Sequence, residues 1–419
     1  MGQSQRIARN VMWLVFERGL QVAFGIASVA LIARIAGPEQ FGEFQYAQSL
    51  VLIASSFALI CGNEVVVPRL VGDASPLAQH QLLAHAFGVR ESAAVAGYLL
   101  LLVAIVLTGQ DRITLDIAAI LGLPILLREP VGAVRSWMQA RTDSRPGVVF
   151  GLVALTARVL VVGILYWIGT QDIHQYAWAF ALEALLMAVL LARYYFRHAP
   201  KAPLRFDRTL ATRLLQDGTA FWVSMMLMLS ARRVDQLLLK PHIPLSELGA
   251  YAACMQVLDN FMLLAAIVAS TLAPLAIYAQ PTLAAARRNV MRTAMAMAAL
   301  GLAGGSLIAL CAPWIVHLIY GSHYESAVGL MQVAAFASVL VFADAALSLL
   351  VVHLRKPRWL AEKWLVVLVT MVVVDLFMIP RYGALGAVYG YVAGNALAVV
   401  AGISFLLRTR EPEVVEQAA

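Results

Sequence analysis

Four arginines, Arg18, Arg128, Arg135 and Arg158, stand inside long apolar stretches in the first half of this chain, beside Glu17, Glu129 and Glu183. A guanidinium at the centre of an apolar helix costs roughly 2.5 to 3.5 kcal/mol on insertion scales, so such a group faces an interior, pairs with a carboxylate or holds an anion. Arg128 and Arg135 are seven residues apart and project from one helix face, with Gly132 between them and Pro124 a turn earlier as a kink site. That stripe predicts one wall of a cavity. The structural alternative is an ion pair such as Arg128 with Glu183, and Arg135 reaching back to the membrane surface.

The second half has the opposite balance: Arg232 and Arg233 against Asp235, Asp259, Asp344 and Asp375. A carboxyl group enclosed by apolar residues can exchange a proton or bind Na⁺, which makes Asp259 and Asp344, well inside their spans, the leading candidates for ion coupling, with Asp375 as a further one. Asp235 has a plainer reading. Arg232 lies three residues before it and can pair with it on one helix face, so the two are expected to hold spans together.

The elements that must position these groups are membrane helices. The chain has 419 residues, 61% hydrophobic and only 13% charged, and its mean hydropathy is +0.79; a soluble domain is nearer half apolar and a quarter charged. Apolar runs long enough for spanning helices recur along almost the whole length, whereas a barrel would show runs of about ten residues of alternating polarity. Twelve spans are expected, near 11–36, 43–65, 91–108, 115–138, 147–168 and 175–195, then near 216–239, 247–278, 290–316, 327–352, 359–379 and 384–407. The chain is thus read as an all-α polytopic membrane protein of two six-helix lobes, residues 1–196 and 216–419, joined by a basic linker at 197–215.

Arg6 and Arg9 precede an apolar run as in a signal peptide, but Glu17 and Arg18 interrupt it, so an uncleaved first span is expected. With the N-terminus in the cytoplasm, the inner segments carry 21 Lys and Arg and the outer turns only Arg112, Lys240 and Arg381. The positive-inside bias therefore places both termini in the cytoplasm and accounts for the net charge of +7 without nucleic acid as a partner.

Other residue patterns carry less chemistry. Cys61, Cys254 and Cys311 are isolated and form no C-x-x-C pair, so they read as packing residues. No P-loop and no H-E-x-x-H occurs, and His80 and His85 are too spaced to align on a helix. No cofactor or metal is expected. Gly301, Gly304, Gly305, Pro274 and Pro313 read as packing and bending positions. Tyr46, Trp167 and the slightly deeper Trp222 read as interfacial anchors, with stacking on sugar rings as the functional alternative.

The halves share a local pattern: Gln40-Phe41-Gly42-Glu43-Phe44 matches Glu247-Leu248-Gly249-Ala250-Tyr251 at an offset of 207 residues. Six spans in each half would relate the repeats by an axis along the membrane normal. Val11 to Arg34 followed by Gly37-Pro38-Glu39-Gln40-Phe41-Gly42, the run Arg233-Val234-Asp235-Gln236-Leu237-Leu238-Leu239 leading to Leu245 through Tyr251, and Tyr382-Gly383-Ala384-Leu385-Gly386-Ala387 resemble the polysaccharide-transport branch (Wzx-type flippases) of the multidrug/oligosaccharidyl-lipid/polysaccharide exporter superfamily. The resemblance implies a flippase of the bacterial inner membrane. Its implied substrate is an undecaprenyl-pyrophosphate-linked oligosaccharide, an O-antigen (lipopolysaccharide) or exopolysaccharide repeat unit, moved to the periplasmic leaflet by alternating access. Under that reading Arg128 and Arg158 hold the pyrophosphate through forked, charge-assisted hydrogen bonds, with Arg18 and Arg135 in the same cavity. Membrane lipids and the pathway's polymerase and chain-length proteins are the implied partners.

Three rivals remain open, one of them a non-transporting membrane scaffold for a polysaccharide synthesis complex, in which the interior arginines would form a static ion-pair network. A drug exporter of the same superfamily shares the two lobes but wants carboxylates and aromatics for cationic substrates. A membrane-embedded glycan polymerase or ligase generally needs a sizeable outer loop, and the outer breaks here are about ten residues or fewer. A non-enzymatic transporter is therefore the expected class.

Overall fold

The structure is a computed structural model that describes residues 3–409 apart from 73–74, 201, 204–205, 275–276, 278–279, 281 and 355, with side chains described from residue 19 onward. Helix dominates it: α1 Gln3–Ser55, α2 Asn63–Gly72, α3 Pro76–Leu107, α4 Arg112–Ala140, α5 Arg145–Ile168, α6 Ile173–His198 and α7 Arg208–Ala231. The chain continues through α8 Val234–Leu239, α9 Leu245–Ala273, α10 Leu283–Ile319, α11 Ser326–Ala334, α12 Ala337–His353, α13 Pro357–Tyr382 and α14 Ala384–Arg408.

Among the described residues nine stretches are long and apolar enough to cross a membrane, or ten with α11 and α12 taken as one span bent by 41°. Two further features bear on the expected twelve. The longest stretch, Gly19–Gly72, breaks at Gly37, whose φ of 71° leaves the helical region just before Pro38. Ala33 and Phe41, one on each side of the break, both touch Tyr324, so the chain reverses there and the stretch holds two spans. Helix α7 is the remaining span; Arg208, Arg213 and Asp217 in its first turns lower its hydropathy.

The helices group by packing. In the first half α4 packs on α3 and α6, and α1 on α5; in the second α10 packs on α12, α13 on α7 and α14, and α12 on α14. Close approach uses small residues, because helices in lipid gain little from burying apolar surface and associate through packing. A side chain at Gly301 or Gly305 would press on the backbone of residues 335–338, where α11 gives way to α12, and Ser338 Oγ bonds Gly301 O at 2.8 Å. Large apolar side chains such as Leu107, Trp167, Leu310 and Trp314 point outward, as a lipid-facing surface requires.

The two halves meet along α1, α7 and α9. One face of the bundle carries the start of α1, the end of α14, the α2 segment and the passage from α6 to α7; the other carries the turns at Gly37, Lys240, Gly321 and Gly383. These are called the terminal face and the turn face below.

Candidate functional site between the two halves

A cavity of about 490 Å³ opens between the halves toward the terminal face. Its two walls differ in chemistry. The first half contributes Asn63, Glu64, Arg90, Glu129 and Arg135, and the second half contributes Phe221, Trp222, Met225, Met228 and Trp364. Behind α4 lies a second, polar cavity of about 440 Å³ bounded by Gln21, Arg128, Arg158 and Glu183; Glu129, Gly132 and Arg135 line both. The stripe expected from Arg128, Gly132 and Arg135 is therefore present, and helix α4 with its internal Pro124 and Pro130 separates the two spaces.

The arginines are paired in a different way from the expected one. Arg158 Nη1 bonds Glu183 Oε2 at 2.6 Å, and its guanidinium carbon lies 4.7 Å from the centre of the Phe180 ring. Arg128 instead takes Glu129, its neighbour in sequence, at 3.0 Å and is half exposed to the cavity. The expected Arg128 to Glu183 pair is absent because Glu183 on α6 is claimed by Arg158 on α5. Arg135 Nη2 donates to Gly147 O at 3.2 Å, near the start of α5. Buried Nε of Arg158 has no hydrogen-bond partner among the described residues, which leaves it donor capacity. The side chain of Arg18 lies outside the described residues.

Arg90 belongs to this site and was not among the expected residues, because the hydropathy run starts at 91. The signal was available: Ser75 caps α3, Pro76 opens it, and Arg90 then falls about four turns inside the helix. Only 6% exposed, Arg90 donates from Nε and Nη2 to Cys61 O at 3.1 and 2.6 Å. Cys61 is one of two non-glycine residues with positive φ among the described residues, 56°, at the break between α1 and α2. Its thiol contacts Leu214 O of α7 at 3.5 Å, so Arg90 fastens a bend that abuts the second half.

Most of the second-half carboxylates are engaged. Asp259 bonds Arg233 at 2.8 Å and is thus an ion-pair member. Asp344 pairs with Lys363, whose ammonium also donates to Ser348 Oγ at 3.0 Å. Lys363, near the start of the span expected at 359–379, is 3% exposed inside α13, so Asp344 too is an ion-pair member. Asp235 accepts from Tyr251 and from the Gln236 N–H at 2.7 Å. It forms no ion pair with Arg232 because α7 ends at Ala231 and α8 restarts at Val234, which breaks the helical register between them.

Asp375 differs from these in having no partner among the described residues. It is fully buried in α13, and neither carboxylate oxygen has a hydrogen-bond partner among the described residues. Gly390 of α14 makes the room: a Cβ there would lie 2.7 Å from the Asp375 carboxyl carbon.

On the turn face the halves are clamped together. Lys240, from the second half, lies 3.6 Å from Glu43, donates to Thr114 at 2.9 Å and sits 4.4 Å from the centre of the Tyr46 ring. Tyr46 is 5% exposed, so it serves this clamp and is not a lipid-facing anchor. Arg34 donates to Ile319 O at 3.0 Å, and Ser49 donates to Gln236 at 2.6 Å. On the terminal face, Arg69 pairs with Asp217, and Trp222 Nε1 donates to Ser56 O at 3.0 Å. Among the described residues no group of His, Cys, Asp and Glu is arranged to hold a metal ion.

The family described as "Polysaccharide biosynthesis protein" matches residues 7–280. No curated protein matches the chain. Among solved structures, the lipid II flippase MurJ in an inward closed conformation superposes with a TM-score of 0.70 at 11% identity, covering 96% of this chain and 88% of that one. An inward-facing multidrug resistance MATE family transporter of the MOP superfamily gives 0.60 at 15% identity, covering 92% and 93%. A MOP superfamily transporter from Pyrococcus furiosus gives 0.59 at 14% identity, covering 96% of each chain. At these identities the likeness concerns the fold.

Proposed function

The chain belongs to the polysaccharide biosynthesis protein family, and from that premise we propose that it is a flippase for an undecaprenyl-pyrophosphate-linked oligosaccharide of the O-antigen or exopolysaccharide kind. The terminal face is cytoplasmic in this reading, and the protein sits in the bacterial inner membrane. Residues 1–196 and 216–419 act as two lobes on either side of the basic linker. The observation that carries the reading is the pair of cavities around α4, bordered by Arg90, Arg128, Arg135 and Arg158 and shut toward the turn face by the Lys240 and Glu43 clamp.

A pyrophosphate head is strongly hydrated and cannot cross hydrocarbon unaided, so a transporter must replace its water with fixed donors. Guanidinium groups do so with forked hydrogen bonds. Arg128 is half exposed and adjacent to one carboxylate, which leaves part of its donor fork for a ligand. Arg158 contributes from deeper in the second cavity. Rocking of the lobes would then exchange the turn-face clamp for contacts at Arg69 and Trp222, exposing the cavity to the other leaflet. Asp375, buried without a bond, is the position at which an H⁺ or Na⁺ gradient could bias that exchange.

A second reading, a MATE-like exporter of small cationic molecules, is favoured by the aromatic and methionine wall together with Glu64 and Glu129. Translocation in vesicles reconstituted with the full chain separates the two. Facilitated movement of a glycan-bearing undecaprenyl pyrophosphate, lost in both Arg128→Ala and Arg158→Ala at normal protein level, is expected. Transport of a cationic dye with no movement of the lipid would reject the flippase.

A further inference from the structure

The central cavity is unlike on its two sides, and the difference has a chemical meaning. All its charged residues, Glu64, Arg90, Glu129 and Arg135, come from the first half, while the second half presents Phe221, Trp222, Trp364 and two methionines. A cavity for an anion alone would gain nothing from an aromatic wall. A ligand that is anionic at one end and carries flat faces of C–H bonds at the other would use both walls, and a pyrophosphate joined to pyranose rings is such a ligand. Pyranose rings pack their C–H faces on indole rings, which offer large, rigid contact area at small entropic cost.

The two tryptophans are not equivalent. Trp222 spends its only hydrogen-bond donor on Ser56 O, 3.0 Å away in the first half, and lies edge-on to Phe57 at 6.2 Å. It is a strut between the halves. Trp364 makes no such bond among the described residues. Its position is fixed from behind, where Lys363 lies 5.1 Å from the ring centre and is itself held by Asp344 and Ser348. The buried ion pair, far from the first-half arginines in sequence, thus adjoins one indole at the cavity wall. Leu360, one turn before Trp364 on α13, continues the same surface.

Resting on the reading of the two cavities around α4 as the head-group site, we infer that Trp364 is the stacking platform for the sugar nearest the pyrophosphate, with Phe221 on the same wall, while the arginines that flank α4 hold the phosphates. Lys363 and Asp344 are positioning residues for that platform. The volume of about 490 Å³ falls in the range of sites for small ligands and accommodates the first sugars but not a whole repeat unit.

The test compares two probes on the full-length protein in nanodiscs: bare undecaprenyl pyrophosphate, and undecaprenyl pyrophosphate carrying the repeat unit made by the host cell. Wild type should bind the glycan-bearing probe more tightly. Trp364→Ala should weaken that probe by about tenfold while changing the bare probe by less than about twofold, and Trp364→Phe should recover part of the loss. Lys363→Met, which frees the indole without removing it, should reduce the preference for the glycan-bearing probe. Equal weakening of both probes in Trp364→Ala, or an unchanged preference, overturns the platform. Failure of wild type to bind either probe overturns instead the head-group reading on which it rests.

Discussion

Gly42 and Gly249, equivalent positions of the two halves separated by 207 residues, pack against each other across the interface near the turn face. A Cβ on Gly42 would fall 2.9 Å from Gly249 N, and one on Gly249 would fall 3.1 Å from Gly42 N and 2.9 Å from the carbonyl carbon of Pro38. The pattern repeated in sequence is thus the pattern that meets itself in space. No side chain fits there without separating the halves.

Alanine at either position should therefore act on the turn face. Overpacking a tight helix contact costs typically about 1 to 3 kcal/mol, and the cost is avoided once the faces part. Gly42→Ala and Gly249→Ala should lower thermal stability and slow translocation at normal membrane level. Gly163→Ala on α5, where a Cβ meets nothing within 4 Å, is the matched control and should leave both unchanged.

The clamp of Lys240 with Glu43 should behave as a coupled pair. Both side chains are nearly buried, at 12% and 11% exposure, so removing one charge strands the other, a change worth about 3 to 5 kcal/mol for buried pairs. Glu43→Gln and Lys240→Met should each destabilise the protein strongly. The double variant should recover much of the loss, which a double-mutant cycle by chemical denaturation or thermal unfolding would measure. Additive losses would show that the two do not interact.

The span pattern, the repeat and the arginine stripe on α4 were legible in sequence because hydropathy and helical spacing are local properties. Partner choice was not. Glu183 joins Arg158 and not Arg128 because of which faces of α5 and α6 meet, and Arg232 misses Asp235 because the chain breaks helix between them, neither of which hydropathy records. Arg90 fell just outside the expected spans, and Lys363 near the edge of one, for a related reason: a charged residue at the edge of an apolar run shifts the apparent boundary. Ser75 with Pro76, and Pro357 at the first turn of α13, were the start signals that would have moved both inside.

Arg128 and Arg158 should separate by stability while agreeing in function. Arg158 and Glu183 are 12% and 16% exposed, so Arg158→Ala strands a buried carboxylate and should lower stability by a few kcal/mol, with Glu183→Gln as partner variant restoring part of it. Arg128 is half exposed beside Glu129, and Arg128→Ala should change stability by no more than about 1 kcal/mol. Both should block lipid movement in vesicles. Loss of activity confined to Arg158→Ala, in proportion to its lost stability, would reduce these arginines to scaffolding.

Asp375 offers the sharpest separation of coupling from architecture. Its oxygens have no hydrogen-bond partners among the described residues, so Asp375→Asn removes a buried carboxyl without breaking a bond. The variant should fold and melt at or above the wild-type temperature, since it replaces an ionisable group in a packed interior by a neutral one of the same shape. Asp235→Asn, by contrast, alters an acceptor for Tyr251 and should melt lower. If Asp375 is where the driving ion acts, Asp375→Asn vesicles should still bind the lipid-linked glycan but translocate it at a rate independent of an imposed pH or Na⁺ gradient. A gradient response equal to wild type in that variant would remove Asp375 from the coupling step, while the same loss in Asp235→Asn alone would move it one helix away, to α8.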